Sequence, residues 1–329
     1  MKIHDFVVIG DVVIDCFIRI QDASVHCDIN HEHCLICMRF GDKIPYEEVY
    51  VIPAVGNAGN AAVSAARLGM KTALVTNIGG DQNGKDVLAT LQSEGVSGEF
   101  VRAHLQEKTN YHYVLWYEDE RTILTKHQKY DYSLPDIGEP DWVYFSSTGE
   151  NSLPFHDEVL AYLASRPAIK FAYQPGHIEI KFGTERLKGF YERAYVTFYN
   201  KEEAQKILST EEEDMKVLLA KARELGPEIV VITDGKEGSY TFDGNKMLFL
   251  PIYPDPKPPL ERTGVGDSFS SAFTVFLAKG MSVEEALIRA PINSMSVAQY
   301  VGAQEGLLSE EKIEEYLKNA PADYTPKEI

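Results

Sequence analysis

The stretch Glu261-Arg-Thr-Gly-Val-Gly-Asp267-Ser-Phe269 decides how this chain reads. It lies between a proline-rich break, Pro254 to Pro259, and an apolar run, Phe269 to Leu277. Gly264 and Gly266 leave the backbone uncovered, and Asp267 then opens a predicted helix. Bare N–H groups at a helix start hold a phosphoryl group in transit. A carboxylate at the same point can take a proton from an attacking hydroxyl. An anion hole beside a base is what phosphate transfer to an alcohol requires. The same spacing also fits a glycine-rich turn with Asp267 as its N-cap.

The rest of the chain is organised as such a site needs. Phe6 to Ile9, Ala73 to Asn77, Trp142 to Ser146, Ile169 to Tyr173, Tyr195 to Phe198 and Ile229 to Thr233 are short apolar or β-branched runs. Such runs read as buried parallel strands. Helical patterns lie between them, as at Asn60 to Leu68, Asp86 to Glu94 and Glu212 to Leu225. The alternation predicts an α/β fold with a doubly wound, mostly parallel sheet, whose ligands collect at the C-terminal strand ends. Asp15, Asp81 and Asp267 are expected there, and the tail after Ala320 is expected to fray.

Composition sets outer bounds. The 329 residues suffice for one large α/β domain or two smaller ones. Asp and Glu number 50 and Lys and Arg 32, a net charge of −18 that argues against nucleic acid and anionic membrane as partners. No apolar run approaches the ~20 residues that span a bilayer. Met1-Lys-Ile-His-Asp5 turns acidic too early for a signal peptide, so a cytoplasmic protein is expected.

Thr263-Gly-Val-Gly-Asp-Ser-Phe269 resembles the C-terminal signature of the ribokinase-like (PfkB) family of carbohydrate and nucleoside kinases. Other pieces follow in the family's order. Val7-Val-Ile-Gly-Asp-Val-Val-Ile-Asp15 is similar to its first strand, ending on a substrate-binding Asp. Val55-Gly-Asn-Ala-Gly-Asn60, with Ala65-Ala-Arg-Leu-Gly69 after it, is similar to the N-terminal Gly-Gly signature. Ile78-Gly-Gly-Asp-Gln-Asn-Gly84, Asn200-Lys-Glu-Glu203 and Val230-Val-Ile-Thr-Asp-Gly-Lys-Glu-Gly238 resemble its Gly-Asp turn, its Asn-x-x-Glu motif and its nucleotide-side strand. The resemblance covers nearly the whole chain, read as one kinase domain over 1–329.

The resemblance implies roles. Asp267 is the general base, and the backbone of Gly264, Val265 and Gly266 holds the charge of the transferred phosphoryl. Asp15, Gly56, Asn57, Asn60 and Arg121 bind the acceptor, a small sugar or, alternatively, a nucleoside. ATP and Mg²⁺ are implied, with a monovalent cation left open. Asn200 and Glu203 organise the Mg²⁺ through water, since that ion keeps most of its hydration. Thr233, Gly235 and Gly238 line the nucleotide, and Asn293 and Gly302 border its base. Inserts at about 16–53 and 107–130 form a small β-sheet lid that excludes water and serves as a homodimer interface. The lid aromatics Tyr111, Tyr113, Trp116 and Tyr117 read most simply as packing, with substrate platform and dimer contact as alternatives. A non-catalytic sensor is the reading from another class, and an Asp retained at 267 speaks against it.

Four positions, in three places, depart from the family pattern. Val55 replaces the first Gly of the N-terminal signature, Glu261-Arg262 replaces Asp-Thr, and Gln174 stands where Asp often precedes Pro175. A separate signal comes from His26-Cys-Asp-Ile-Asn-His-Glu-His-Cys-Leu-Ile-Cys37. Cys34 and Cys37 have metal-knuckle spacing, and Cys27, His26, His31 or His33 could complete a structural Zn²⁺ site. A redox pair and a loop of free thiols are the alternatives. A lasting disulfide is not expected in a reducing compartment.

Overall fold

The structure is a computed structural model that describes residues 4–27, 34–118 and 120–329. Its centre is a 10-stranded sheet. From one edge the order is Lys327–Glu328, Met247–Leu250, Ser239–Phe242, Ile229–Thr233, Val196–Asn200, Lys170–Tyr173, Trp142–Phe145, Phe6–Ile9, Thr72–Gly79 and Val101–His104. Pairing is parallel from Val101–His104 through Ile229–Thr233 and antiparallel beyond it.

The apolar runs are strands because both sheet faces are covered. Phe6 and Val8 join the core under the helices Asn57–Arg67, Val265–Ala278 and Val283–Val297. Val7 and Ile9 join the opposite core, with the helices Leu153–Ala164 and Met215–Glu224. A strand with helices on both sides has no polar face, so its sequence is apolar throughout. The doubly wound expectation is met.

A second sheet of four strands stands apart, in the order Tyr46–Val55, Val13–Ile20, Tyr111–Tyr117, Glu120–Leu124. It is built from the two expected inserts and begins slightly before the first of them. Ser24–His26 and Leu35–Cys37 pair antiparallel as a separate two-stranded sheet.

Three expectations are corrected here. The first strand ends at Ile9, and Asp15 lies on the lid strand Val13–Ile20. The chain breaks between them at Gly10, where a Cβ would come within 2.8 Å of Ala58 Cβ and 3.0 Å of the Ser147 carbonyl. The tail does not fray: Tyr324 is buried, its hydroxyl donates to the Ile288 carbonyl at 2.9 Å, and Lys327–Glu328 pairs with Leu248 and Phe249. The aromatic stripe is not uniform core. Alternation along Tyr111–Tyr117 buries Trp116 and turns Tyr113 to solvent.

The cysteine cluster also departs from expectation. Cys27 and Cys34 are joined by a disulfide, and Cys37 is a free thiol. Two sulfurs bonded to each other are not thiolates, which metal ligation requires. Among the described residues no group of three or more His, Cys, Asp or Glu is placed to hold a metal. His31 and His33 lie outside the described residues. No helix among the described residues is long and apolar enough to cross a membrane.

Candidate active site

A cavity of about 350 Å³ opens where the parallel strands end, under the lid. Strand ends supply Asn200 and Thr233, and Gln174 follows the strand Lys170–Tyr173. The lid supplies Asp15 and Arg121. Helix starts supply Gly56, Asn57, Asn60, Gly264, Gly266 and Asp267. Most of the expected site residues, from six separate parts of the chain, therefore share one cavity.

Asp267 sits in the first turn of the helix Val265–Ala278, where bare N–H groups and the helix dipole favour negative charge. Three amides hold its carboxylate. Asn60 Nδ2 donates to Oδ2 at 2.7 Å, and Asn57 Nδ2 and Gln174 Nε2 donate to Oδ1 at 3.1 and 3.0 Å. Burial raises the Asp267 carboxyl above the ordinary carboxylate range, against the pull of the Asn60 and Gln174 hydrogen bonds and the Arg121 charge.

The two glycines ahead of Asp267 act differently. Gly264 has φ +76°, and a Cβ there would lie 2.2 Å from Ala303 Cβ. Only glycine fits both constraints. At Gly266 a Cβ would meet nothing within 4 Å, because the residue faces the open cavity it lines. Glu261 explains one departure from the family pattern. It is buried, its Oε2 accepts the Thr263 N–H at 2.6 Å and its Oε1 accepts the Gly302 N–H at 2.7 Å. The longer side chain fixes the loop that leads into the helix.

At the other end, Asn200 and Glu203 form a reciprocal cap on the helix Lys201–Leu208. Asn200 Oδ1 accepts the Glu203 N–H at 2.8 Å, and Glu203 Oε2 accepts the Asn200 N–H at 2.9 Å. Both residues still line the cavity. Burial raises the Glu203 carboxyl above its usual range, opposed by that Asn200 N–H. Hard oxygens with one carboxylate suit a hydrated Mg²⁺, so the residues present fit the ion that the sequence implied.

Five expected residues do not line the cavity. Val265 gives its carbonyl to the Ser268 and Ser294 hydroxyls. Gly235 and Gly238 shape the turn after Ile229–Thr233, and at Gly238 a Cβ would lie 2.3 Å from the Leu250 carbonyl oxygen. Asn293 is fully buried: its Nδ2 donates to the Ser268 carbonyl at 3.2 Å and its Oδ1 accepts the Leu308 N–H at 2.9 Å. Its amide ties two helices and a loop together. Gly302 likewise serves Glu261 and packs against Ile52 of the lid.

Sequence reasoning missed Asp11, His112, His127, His177 and Arg262, all of which line the cavity. For His112 the signal was present, because strand alternation puts it on the face opposite Tyr113. Burial pushes Asp15 up to about 7, helped by the Glu261 charge and opposed by Arg121. His112 Nδ1 lies 3.7 Å from Asp15 Oδ1, and burial pushes that imidazole down to about 4.

A pfkB family carbohydrate kinase domain matches residues 6–310. This chain belongs to the pfkB family of carbohydrate kinases. The ribokinase of Bacillus subtilis (strain 168) is 30% identical over 274 residues, which cover 80% of this chain and 87% of that protein. The nucleoside kinase of Methanothermobacter thermautotrophicus is 27% identical over 238 residues, 70% of this chain and 73% of its own. Among solved structures, Arabidopsis thaliana ribokinase complexed with ribose and ATP superposes with a TM-score of 0.78 at 22% identity, covering 96% of this chain and 99% of that chain. This likeness is one of fold. The pfkB-family kinase thus has the ribokinase-like sheet with its lid, and Asp267 lies in the segment of the family match.

Proposed function

We propose that this kinase transfers the γ-phosphate of ATP to a primary hydroxyl of a small sugar. The observation that carries the reading is the Asp267 carboxylate beside Gly266, in one cavity with the lid carboxylate Asp15. Asp267 takes the proton of the acceptor hydroxyl. A carboxyl raised by burial is a better base near neutral pH than one titrating in the ordinary range. The N–H groups of Gly264, Val265 and Gly266 hold the charge on the transferred phosphoryl, and the helix behind them adds its dipole. Asp15, Asn57, Asn60 and Arg121 orient the acceptor. Asn200 and Glu203 would hold the hydrated Mg²⁺, which supplies charge neutralisation on the phosphate oxygens. Thr233 and the turn after it would flank the nucleotide.

The whole of 1–329 acts in this reading as a single kinase domain. The lid covers the acceptor and pairs with a second copy, supported by the solvent-facing side chains of Val51, Tyr113 and Leu124. Val51→Asp combined with Tyr113→Asp should convert a dimer into a monomer in gel filtration; an unchanged elution volume would remove the interface.

A nucleoside acceptor is the second reading, favoured by the nucleoside kinase above and by the cytidine kinase of Thermococcus kodakarensis, 28% identical over 236 residues. The test is ATP consumption with Mg²⁺ over a panel of ribose, fructose, 2-keto-3-deoxygluconate, adenosine, inosine, guanosine and cytidine. Turnover on a free sugar supports the main reading. Turnover on nucleosides alone replaces it with the second.

A further inference from the structure

Beside Asp15, which orients the acceptor, the cavity wall carries Asp11, His112 and His127, to which the phosphoryl step gives no task. Asp11 is 4% exposed, Asp15 6% and His112 8%. Each carries a buried polar atom with no hydrogen-bond partner: Asp11 Oδ1, Asp15 Oδ1 and His112 Nε2. His127 Nδ1 is a fourth such atom, 4.0 Å from Asp11 Oδ2. The His112 and His127 rings stand 5.2 Å apart, and His177 follows 6.2 Å beyond. All five residues line the one cavity.

Buried polar atoms are nearly always paired, and an orphan is left without the bonds it had in water. Four on one wall are costly to the empty protein and become useful when a ligand satisfies them. Resting on the kinase reading above, we infer that Asp11, His112 and His127 form a second acceptor subsite for further hydroxyl groups of an uncharged polyhydroxylated sugar or polyol.

The chemistry of the wall selects this class. A carboxylate accepts, a protonated carboxyl also donates, and a neutral imidazole has one donor and one acceptor nitrogen. A hydroxyl both donates and accepts, so a run of hydroxyls can answer every group on the wall. Burial pushes His112 down to about 4 and His127 also below its usual value, which keeps both rings uncharged near neutrality. A phosphate or carboxylate on the acceptor would face the acids of this wall, Asp11 and Asp15, with the Arg121 and Arg262 charges of the same cavity to offset them. A nucleobase would leave the wall's donors and acceptors only partly matched, and unpaired groups of this kind reject the wrong ligand strongly.

The test is calorimetric binding to the whole chain, with D-ribose, D-fructose, D-arabinitol, adenosine, cytidine and fructose 6-phosphate as probes. Each probe is titrated into wild type, His112→Leu, His127→Leu and the polar variant His112→Asn. Thermal melts and ATP titration accompany every variant to confirm its folding. A neutral sugar or polyol should bind most tightly, and its affinity should fall by 10-fold or more in each Leu variant. His112→Asn should recover part of that loss, and ATP affinity should hold within about 2-fold. Tighter binding of a nucleoside or of the sugar phosphate overturns the subsite. So does neutral-sugar binding that is absent, or that the Leu variants leave unchanged. A polyol that binds as described without being phosphorylated leaves the subsite standing and removes the kinase reading of the acceptor.

Discussion

Gln174 bridges the end of a central strand to the start of the helix Val265–Ala278. Its Nε2 donates to Asp267 Oδ1 at 3.0 Å, and its Oε1 accepts the Tyr144 hydroxyl. Pro175 after it favours extended backbone at 174, which aims the side chain across the cavity rather than along a helix. Hydrogen bonds to a carboxylate favour its charged form and oppose the effect of burial. Gln174→Leu removes one of them, so the Asp267 carboxyl should titrate at a higher pH. The base works only when deprotonated, so activity falls as pH falls through that value. The acid limb of the kcat profile should therefore move to higher pH in Gln174→Leu, with kcat at pH 7 lowered roughly 3- to 10-fold. An unmoved limb would separate Gln174 from the base.

Gly264 and Gly266 should fail in opposite ways. Gly264→Ala forces a side chain into φ +76° and against Ala303 at 2.2 Å, so the melting temperature should drop, at a cost of about 2 kcal/mol or more. Gly266→Val places its branch in open cavity, so the fold should hold while kcat falls by 10-fold or more. Differential scanning calorimetry and initial rates on the two variants separate these outcomes.

Asn293→Ala tests whether that residue holds the fold or the nucleotide. It leaves the buried Leu308 N–H without its acceptor, at a cost of about 1–3 kcal/mol. Stability should fall while the KM for ATP stays within about 2-fold of wild type. A large rise in that KM with normal stability would return Asn293 to the nucleotide.

Much of this could be read from the chain. Phe6-Val-Val-Ile9 and Ile229–Thr233 are strands where the sequence reading puts them, because a two-sided burial requirement leaves an unbroken apolar run. The meeting of Asp15, Asn60 and Asp267 followed from motif order. Asn293 reads as a site residue only through the resemblance and otherwise as an ordinary polar helix residue, and its burial depends on how two helices pack, which no local pattern encodes. The tail misread for the same reason: Tyr324 gains its place by packing against Tyr253, a contact across the sheet edge. Asp11 and His127 were hidden because they meet only through the lid, 116 residues apart (127 − 11).

Asp11 makes stability depend on pH. Its carboxyl is pushed up to about 7 from an ordinary 3.8, chiefly by burial, with the Tyr132 hydroxyl opposing. A raised folded-state value gives support that is full below pH 3.8 and lost as pH rises through 7. Above that point a charge stays buried. Asp11→Asn has no such charge, so its melting temperature relative to wild type should rise by roughly 1–3 °C between pH 6 and pH 9. A difference that does not change with pH would mean that Asp11 titrates in the ordinary range.

The most direct test of the account is the turnover of Asp267→Ala on the best acceptor, with ATP affinity measured on the same sample. The account predicts that kcat falls by about 10²–10⁴-fold while ATP binds within a few-fold of wild type. Turnover close to wild type, with ATP bound normally, would contradict it and remove Asp267 as the base.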